Sequence, residues 1–296
     1  MNIAISGSHG FVGSAVTETL WGAGHQVTPI VRGESAVETG IAWSAETGYV
    51  DAAKFDGIEA VVHLAGESIN GRWTPEKKAL IRESRVKGTR VLSEALAQLA
   101  KPPQVLVCAS AVGYYGDRGD ELMHEENEPG GGFLAGVVRE WEAATEAAAK
   151  KGIRVVNLRI GVVLGAGGGA LAAMLTPFKM GVGGRVGSGR QYMSWIALDD
   201  VVGAVEHALA TESLRGPVNV VSPNPARNLE FTKALGRVLW RLTIFPLPAF
   251  VVKLVFGQMG QELLLEGQRV DSAKLAASGY TFRYPELESA LRRAVG

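Results

Sequence analysis

The run Gly7-Ser8-His9-Gly10-Phe11-Val12-Gly13 follows a strand-like apolar segment at 2–6 and leads into a helix-like one at 14–23. A dinucleotide-binding βαβ unit asks for such a loop: one glycine at a sharp turn, one where backbone approaches pyrophosphate, one where helix packs on strand. The helix then offers the phosphates its unbonded N–H groups and the positive end of its dipole. Gly7, Ser8, Gly10, Phe11, Val12 and Gly13 are therefore the expected cofactor contacts. A purely structural glycine turn is the alternative, and the alternation downstream argues against it. Strand-like runs at 26–31, 60–65, 105–109, 154–159 and 218–221 alternate with helix-like segments at 74–100, 134–150 and 199–211. Such alternation builds a parallel sheet with helices on both faces, so the expected fold class is α/β, a Rossmann-type doubly wound sheet.

Punctuation sets the boundaries. Thr74 is a good N-cap and Pro75 is preorganised for a first helical position. The glycine-rich stretch 161–189 reads as a functional loop carrying a helical piece at 170–180. Asp199 and Asp200 open a helix as cap and dipole partner. The Pro/Asn-rich segment 222–228 divides a dinucleotide-binding domain, 1–223, from a small, mostly helical C-terminal domain, 224–296, with Asn228 and Ser272 as helix caps. Residues 244–256 are apolar but too short for a membrane span and are interrupted by Pro246, Pro248 and Lys253, so they read as a core or dimer-interface helix.

The end of the second strand selects the cofactor. An Asp or Glu there would hold the ribose 2′-hydroxyl, whereas a cation accommodates a 2′-phosphate. The residue is Arg32, whose planar guanidinium can grip a phosphate through two hydrogen bonds, which favours NADP(H). Leu64, Ala65 and Gly66 end the next strand with side chains small enough for close approach, and Glu67 and Arg72 follow as further ribose or phosphate contacts.

The chain carries 30 basic and 30 acidic residues, and this balance gives no broad cationic surface for a nucleic-acid partner. Cys108 lies in an apolar run and reads as a buried small hydrophobe. None of the five histidines has metal-ligand spacing with a partner, so no metal is expected. Without a basic region followed by an apolar stretch at the start, and without a span, the expectation is a cytoplasmic protein with no membrane partner.

Taken together, Gly7 to Gly13, His63-Leu64-Ala65-Gly66-Glu67, Ser84-Arg85-Val86-Lys87-Gly88-Thr89, Ser110-Ala111-Val112-Gly113-Tyr114-Tyr115-Gly116, Gly167-Gly168-Gly169 and Ser194-Trp195-Ile196 resemble the epimerase-family oxidoreductases, an atypical branch of the extended short-chain dehydrogenases/reductases. The tail at 224–288 looks like the small C-terminal domain of that branch. The resemblance implies NADP(H) as cofactor and a small carbonyl or hydroxyl substrate, with a sugar derivative as one candidate. It allows a homodimer built on the helices at 74–100 and 134–150.

The departures are equally informative. A typical member pairs a catalytic Tyr with a Lys four residues on. Here no tyrosine lies between Tyr115 and Tyr192, Arg139 is the nearest cation on the helix concerned, Arg85 stands in place of the tetrad Asn, and Ala197 replaces a usual His. Ser110 is kept. The proton donor must then come from elsewhere, with Tyr114 first, Tyr115 and Glu142 after it, and Arg85 as an anion or carbonyl polariser. Two functions remain open: an NADP(H)-dependent oxidoreductase or epimerase-like enzyme, and a non-catalytic NADP(H) sensor or regulatory protein of the kind labelled cell-division inhibitor.

Overall fold

The computed structural model describes residues 1–34 and 38–296. Seven strands, β1 (Asn2–Ser6), β2 (Gln26–Arg32), β3 (Ile41–Trp43), β4 (Ala60–His63), β5 (Val105–Ala111), β6 (Arg154–Ile160) and β7 (Gly216–Val220), form one parallel sheet in the order β3-β2-β1-β4-β5-β6-β7. The chain starts mid-sheet, winds outward through β2 and β3, then returns to lay β4 on the other side of β1. That reversal leaves a crevice at the carboxyl ends of β1 and β4, where α/β sheets bind ligands.

The helices are α1 (Phe11–Gly22), α2 (Pro75–Gln98), α3 (Phe133–Ala143), α4 (Glu146–Lys150), α5 (Gly169–Lys179), α6 (Leu198–Ala210), α7 (Asn228–Leu239), α8 (Ala249–Gly260), α9 (Ala273–Ala277) and α10 (Leu287–Val295). Alternate strand residues feed opposite faces, as a period of two requires. Ile3, Ile5 and Val62 pack with Val16 and Leu20 of α1 and Val201 and Val205 of α6. Ala4, Val61 and Leu106 face Leu92 and Leu96 of α2. With both faces covered, the central strands can be continuously apolar, which is how they read in the sequence.

Several elements differ from expectation. The segment expected as one helix at 134–150 breaks between α3 and α4, where the Thr145 hydroxyl donates to the Glu142 carbonyl at 2.7 Å and competes with the helical pattern. Asp199 and Asp200 sit in the first turn of α6 but do not cap it, because the N-cap is Ala197. Instead Asp200, buried, accepts from the Tyr280 hydroxyl and from the backbone N–H groups of Arg283 and Tyr284, while Asp199 pairs with Arg293. Asn228 is the first residue of α7 rather than its cap, and its side chain accepts from the Val186 N–H at 2.8 Å. The helix α8 is not a core helix: Val252 is buried but Phe250 and Leu254 are exposed.

Residues 224–296 pack against the rest of the chain. Arg269–Val270 pairs with Leu122–Met123, Ala226–Arg227 pairs with Tyr192–Met193, and Leu291 of α10 shares a core cluster with Leu164 and Trp195. The C-terminal segment therefore walls one end of the sheet. Among the described residues no helix is long and apolar enough to cross a membrane.

Candidate functional site

The glycine loop joins β1 to α1. Gly7 has φ +73°, and a Cβ there would lie 2.8 Å from the Leu64 carbonyl carbon. A Cβ on Gly13 would sit 2.0 Å from the Gly7 oxygen. Both positions are closed to side chains by the chain's own backbone. Gly10 is different, since a Cβ there would meet only the Gly7 oxygen, at 3.2 Å. It is also the N-cap of α1, and no side chain caps that helix. The first-turn N–H groups of Phe11, Val12 and Gly13 are thus left for an external acceptor, which suits a pyrophosphate. The Phe11 ring points elsewhere: a Cβ on Gly168 would come 2.7 Å from its Cγ, and one on Gly165 equally close to its Cζ. The glycine-rich turn after Leu164 is therefore a seat for Phe11, a structural reason the sequence did not disclose.

Arg32 lies exposed at the carboxyl end of β2, and its guanidinium makes no ion pair or hydrogen bond among the described residues. Its charge is felt at Glu67, in the turn after β4. Lys77 donates to Glu67 Oε1 at 2.7 Å, and this hydrogen bond, helped by the charges of Lys77, Arg32 and Arg85, holds the carboxyl below the usual carboxylate range. Glu67 is thus engaged, whereas among the described residues the side chains of Arg32 and the exposed Arg72 have no partner and can meet a phosphate. Uncapped α1, the close-packed glycines and a cation at the end of β2 with no partner among the described residues together fit a 2′-phosphorylated dinucleotide.

Arg85 is not at the reactive end. Its Nη1 donates to the carbonyls of Glu67 at 2.9 Å and Ile81 at 3.2 Å, and its guanidinium lies 5.3 Å from the Trp141 ring centre. A Cβ on Gly66 would be 3.2 Å from its Cζ. Burial lowers Arg85 to about 10. It buttresses the Gly66–Glu67 turn from beneath, so the expected role as carbonyl polariser gives way to a supporting one.

The chemistry-bearing cluster sits at the carboxyl ends of β5 and β6. Ser110, 4% exposed, donates to Glu142 Oε1 at 2.6 Å. Arg159, in β6 and 2% exposed, grips the same carboxylate twice, Nε to Oε1 at 2.8 Å and Nη2 to Oε2 at 2.9 Å. Burial alone would lower Arg159, but the Glu142 hydrogen bonds and charge outweigh it and hold the guanidinium above its ordinary value. Its Nη1 donates to the Tyr115 hydroxyl at 2.9 Å and the Glu125 carbonyl at 3.1 Å, and Tyr115 donates on to Asn219 Oδ1 at 2.7 Å. Burial pushes the Tyr115 phenol up to about 12, and with its proton donated to Asn219 and its oxygen held by Arg159, Tyr115 is a fixed link in the network.

Tyr114 behaves otherwise. The Arg159 Cζ lies 3.6 Å from its ring centre, the ring is half-buried, and its hydroxyl has no hydrogen-bond partner among the described residues. The structure thus brings Ser110, Tyr114 and Glu142 together. Arg139 is exposed on α3 and outside the cluster; the cation that matters is Arg159. Its signal in the sequence was a charge inside an apolar strand, Val155-Val156-Asn157-Leu158-Arg159, because an arginine is buried only when paired.

Two recesses flank this arrangement. A cavity of about 700 Å³ lies between α1, α6 and α10, lined by His9, Phe11, Arg283 and Arg293 among others. Neither Ser110 nor Tyr114 lines it, and size alone does not make it the reactive site. The recess at the 113–116 turn is only about 10 Å³ and is lined by Gly113, Leu134, Glu262, Glu266 and Gln268. Glu262 closes it by accepting the Phe133 and Leu134 N–H bonds at 3.0 Å each, capping α3 from the C-terminal segment. Among the described residues no cluster of three or more His, Cys, Asp or Glu could hold a metal ion.

A doubly wound sheet, a glycine loop at an uncapped helix and a Ser110-bearing strand define a dinucleotide-binding protein of the short-chain dehydrogenase type. The chain belongs to the NAD dependent epimerase/dehydratase family, whose model matches residues 3–221. A domain of unknown function, DUF1731, matches residues 247–294. The epimerase family protein Mb2239 of Mycobacterium bovis is 43% identical over 290 residues, 98% of this chain and 96% of that one. The crystal structure of human epimerase family protein SDR39U1 with NADPH superposes with a TM-score of 0.89 at 34% identity, covering 99% of both chains. A nucleoside-diphosphate sugar epimerase from Corynebacterium glutamicum matches with a TM-score of 0.82 at 37% identity, over 100% of this chain and 58% of that one.

Proposed function

We propose that the chain is an NADP(H)-dependent oxidoreductase acting on a small carbonyl or hydroxyl compound, with Tyr114 as the proton donor. The observation that carries this reading is the Tyr114 ring stacked on the Arg159 guanidinium, with its hydroxyl unpartnered among the described residues. The guanidinium against the ring face holds the phenol in one orientation at the mouth of the cluster. The bound cofactor would supply hydride to the carbonyl carbon. Tyr114 would then protonate the carbonyl oxygen and recover its own proton from solvent, while Ser110, fixed by Glu142, orients the substrate. Cofactor binding rests on Gly7, Gly10 and the N–H groups of Phe11, Val12 and Gly13 for the pyrophosphate, Arg32 and Arg72 for the 2′-phosphate, and the Leu64–Glu67 turn for the ribose. The NADPH of the human relative and the sugar nucleotide chemistry named for the Corynebacterium relative support cofactor and substrate class respectively.

A second reading, a cofactor sensor without turnover, is favoured by one feature: the Ser110 hydroxyl is committed to Glu142 and the adjoining recess is nearly closed by Glu262. Titration with NADPH and NADH, followed by NADPH oxidation against a panel of carbonyl compounds including sugar derivatives, separates the two. NADPH-selective binding with turnover supports the enzyme; the same binding with no turnover across the panel moves the assignment to the sensor.

A further inference from the structure

We infer that the face formed by residues 179–190 and 240–256 docks on an anionic lipid surface. The two segments are joined: Leu247 donates its N–H to the Arg185 carbonyl at 2.8 Å, Gly187 donates to the Leu247 carbonyl at 2.8 Å, and Arg241 Nε donates to the Lys179 carbonyl at 2.9 Å. On this face large apolar side chains stand in solvent: Trp240 84% exposed, Leu254 75%, Leu242 74%, Met180 and Phe250 72%, and Ile244 66%. Single exposed apolar residues need no explanation, but a contiguous group marks an interaction surface.

Trp240 is informative because of its backbone. It ends α7 with φ 55°, a left-handed conformation that favours glycine and costs a bulky residue stability. The indole is almost wholly in water, so the fold gains little from it. Its place is explained by something outside the chain.

Charge identifies the occupant. The two segments contain Lys179, Arg185, Arg190, Arg241 and Lys253 and no Asp or Glu. All five are exposed, and none has a carboxylate partner among the described residues. A second copy placed face to face by a two-fold axis would oppose cations with cations across an acid-free interface. A bilayer rich in anionic lipid supplies the missing negative charge with mobile headgroups and takes Trp, Phe and Leu side chains at its interface. The helix α8 has 12 residues, too few to span, and lying in the interface asks for no such length. The sequence reading expected no membrane partner because no span is present; a surface contact is a different matter.

The test is co-flotation of the full chain with vesicles of phosphatidylcholine alone or with about one third phosphatidylserine. Binding should be at least about ten-fold stronger to the anionic vesicles and should fall as salt rises. Phe250→Ser with Leu254→Ser should abolish it, and Arg241→Glu and Lys253→Glu should each weaken it by about five-fold or more. NADPH binding, which involves none of these residues, shows that each variant is folded. Absence of flotation with anionic vesicles overturns the inference, as does undiminished flotation of the double serine variant. Self-association that the serine substitutions dissolve, with no vesicle binding, assigns the face to a second copy instead.

Discussion

Arg159 stacks 3.6 Å beneath the Tyr114 ring while its edge is bonded to Glu142 through two nitrogens. One buried guanidinium thus serves two neighbours: its rim neutralises the carboxylate that orients Ser110, and its face lies against the phenol. Removing it altogether would leave Glu142 buried without its partner, which costs about 3–5 kcal/mol. The informative changes are therefore conservative ones.

Tyr114→Phe keeps the ring and the stack and removes only the hydroxyl. If Tyr114 donates the proton, turnover should fall by roughly a hundred- to ten-thousand-fold with NADPH affinity unchanged. Arg159→Lys should retain most of the fold but lower turnover, because an ammonium cannot both fork onto Glu142 and cover the ring. Steady-state kinetics beside cofactor titration checks both. A Tyr114→Phe variant of normal activity would remove the proposed donor.

Arg32 is a cation at the end of β2 whose side chain has no partner among the described residues, and on the proposed reading it selects the cofactor. Arg32→Ala should weaken NADPH binding by about ten- to hundred-fold and leave NADH binding nearly unchanged, since only NADPH carries the phosphate the guanidinium would hold. Fluorescence titration with each cofactor reads the ratio. Equal losses would show that Arg32 acts on something common to both.

The three glycines of the loop should separate by experiment. A Cβ on Gly13 would fall 2.0 Å from the Gly7 oxygen, so Gly13→Ala should cost about 3 kcal/mol or more in stability. Gly10→Val meets only one backbone atom, at 3.2 Å from its Cβ, and should reduce cofactor affinity more than stability. Urea unfolding beside NADPH titration distinguishes them, and a Gly10→Val variant with normal affinity would remove that residue from the cofactor site.

Where the sequence was legible, the signal was local. The Gly7–Gly13 loop, the apolar strands and the Thr74-Pro75 helix start each follow from neighbouring residues, and the structure has them. What stayed hidden depends on contacts between distant segments. Arg159 in β6 reaches Glu142 on α3, Glu262 caps α3 from 129 residues away, and Asp200 looks like a helix-start acid until Tyr280 and Arg283 arrive. The turn at Gly165–Gly169, part of the stretch read as a functional loop, packs around Phe11, and nothing nearby in the sequence announced that contact. The exposure of α8 was equally unreadable, since an apolar helix has the same sequence whether it faces a core or solvent.

His63 gives the clearest prediction about pH. It is fully buried, with Nδ1 2.6 Å from the Ser6 hydroxyl and Nε2 3.0 Å from that of Thr89, and burial lowers it to about 4 from its ordinary 6.5. The folded state therefore binds fewer protons here than the unfolded chain between those values. Stability from this group is fully present above pH 6.5 and is lost as pH falls toward 4, amounting to about 3 kcal/mol across the window. Denaturant unfolding from pH 4 to 7 should show that slope, and His63→Gln, which is neutral throughout, should flatten it even if the variant is less stable overall. An unchanged slope in the variant would assign the acid sensitivity to other groups, Glu67 first, whose carboxyl is held below its usual range by Lys77.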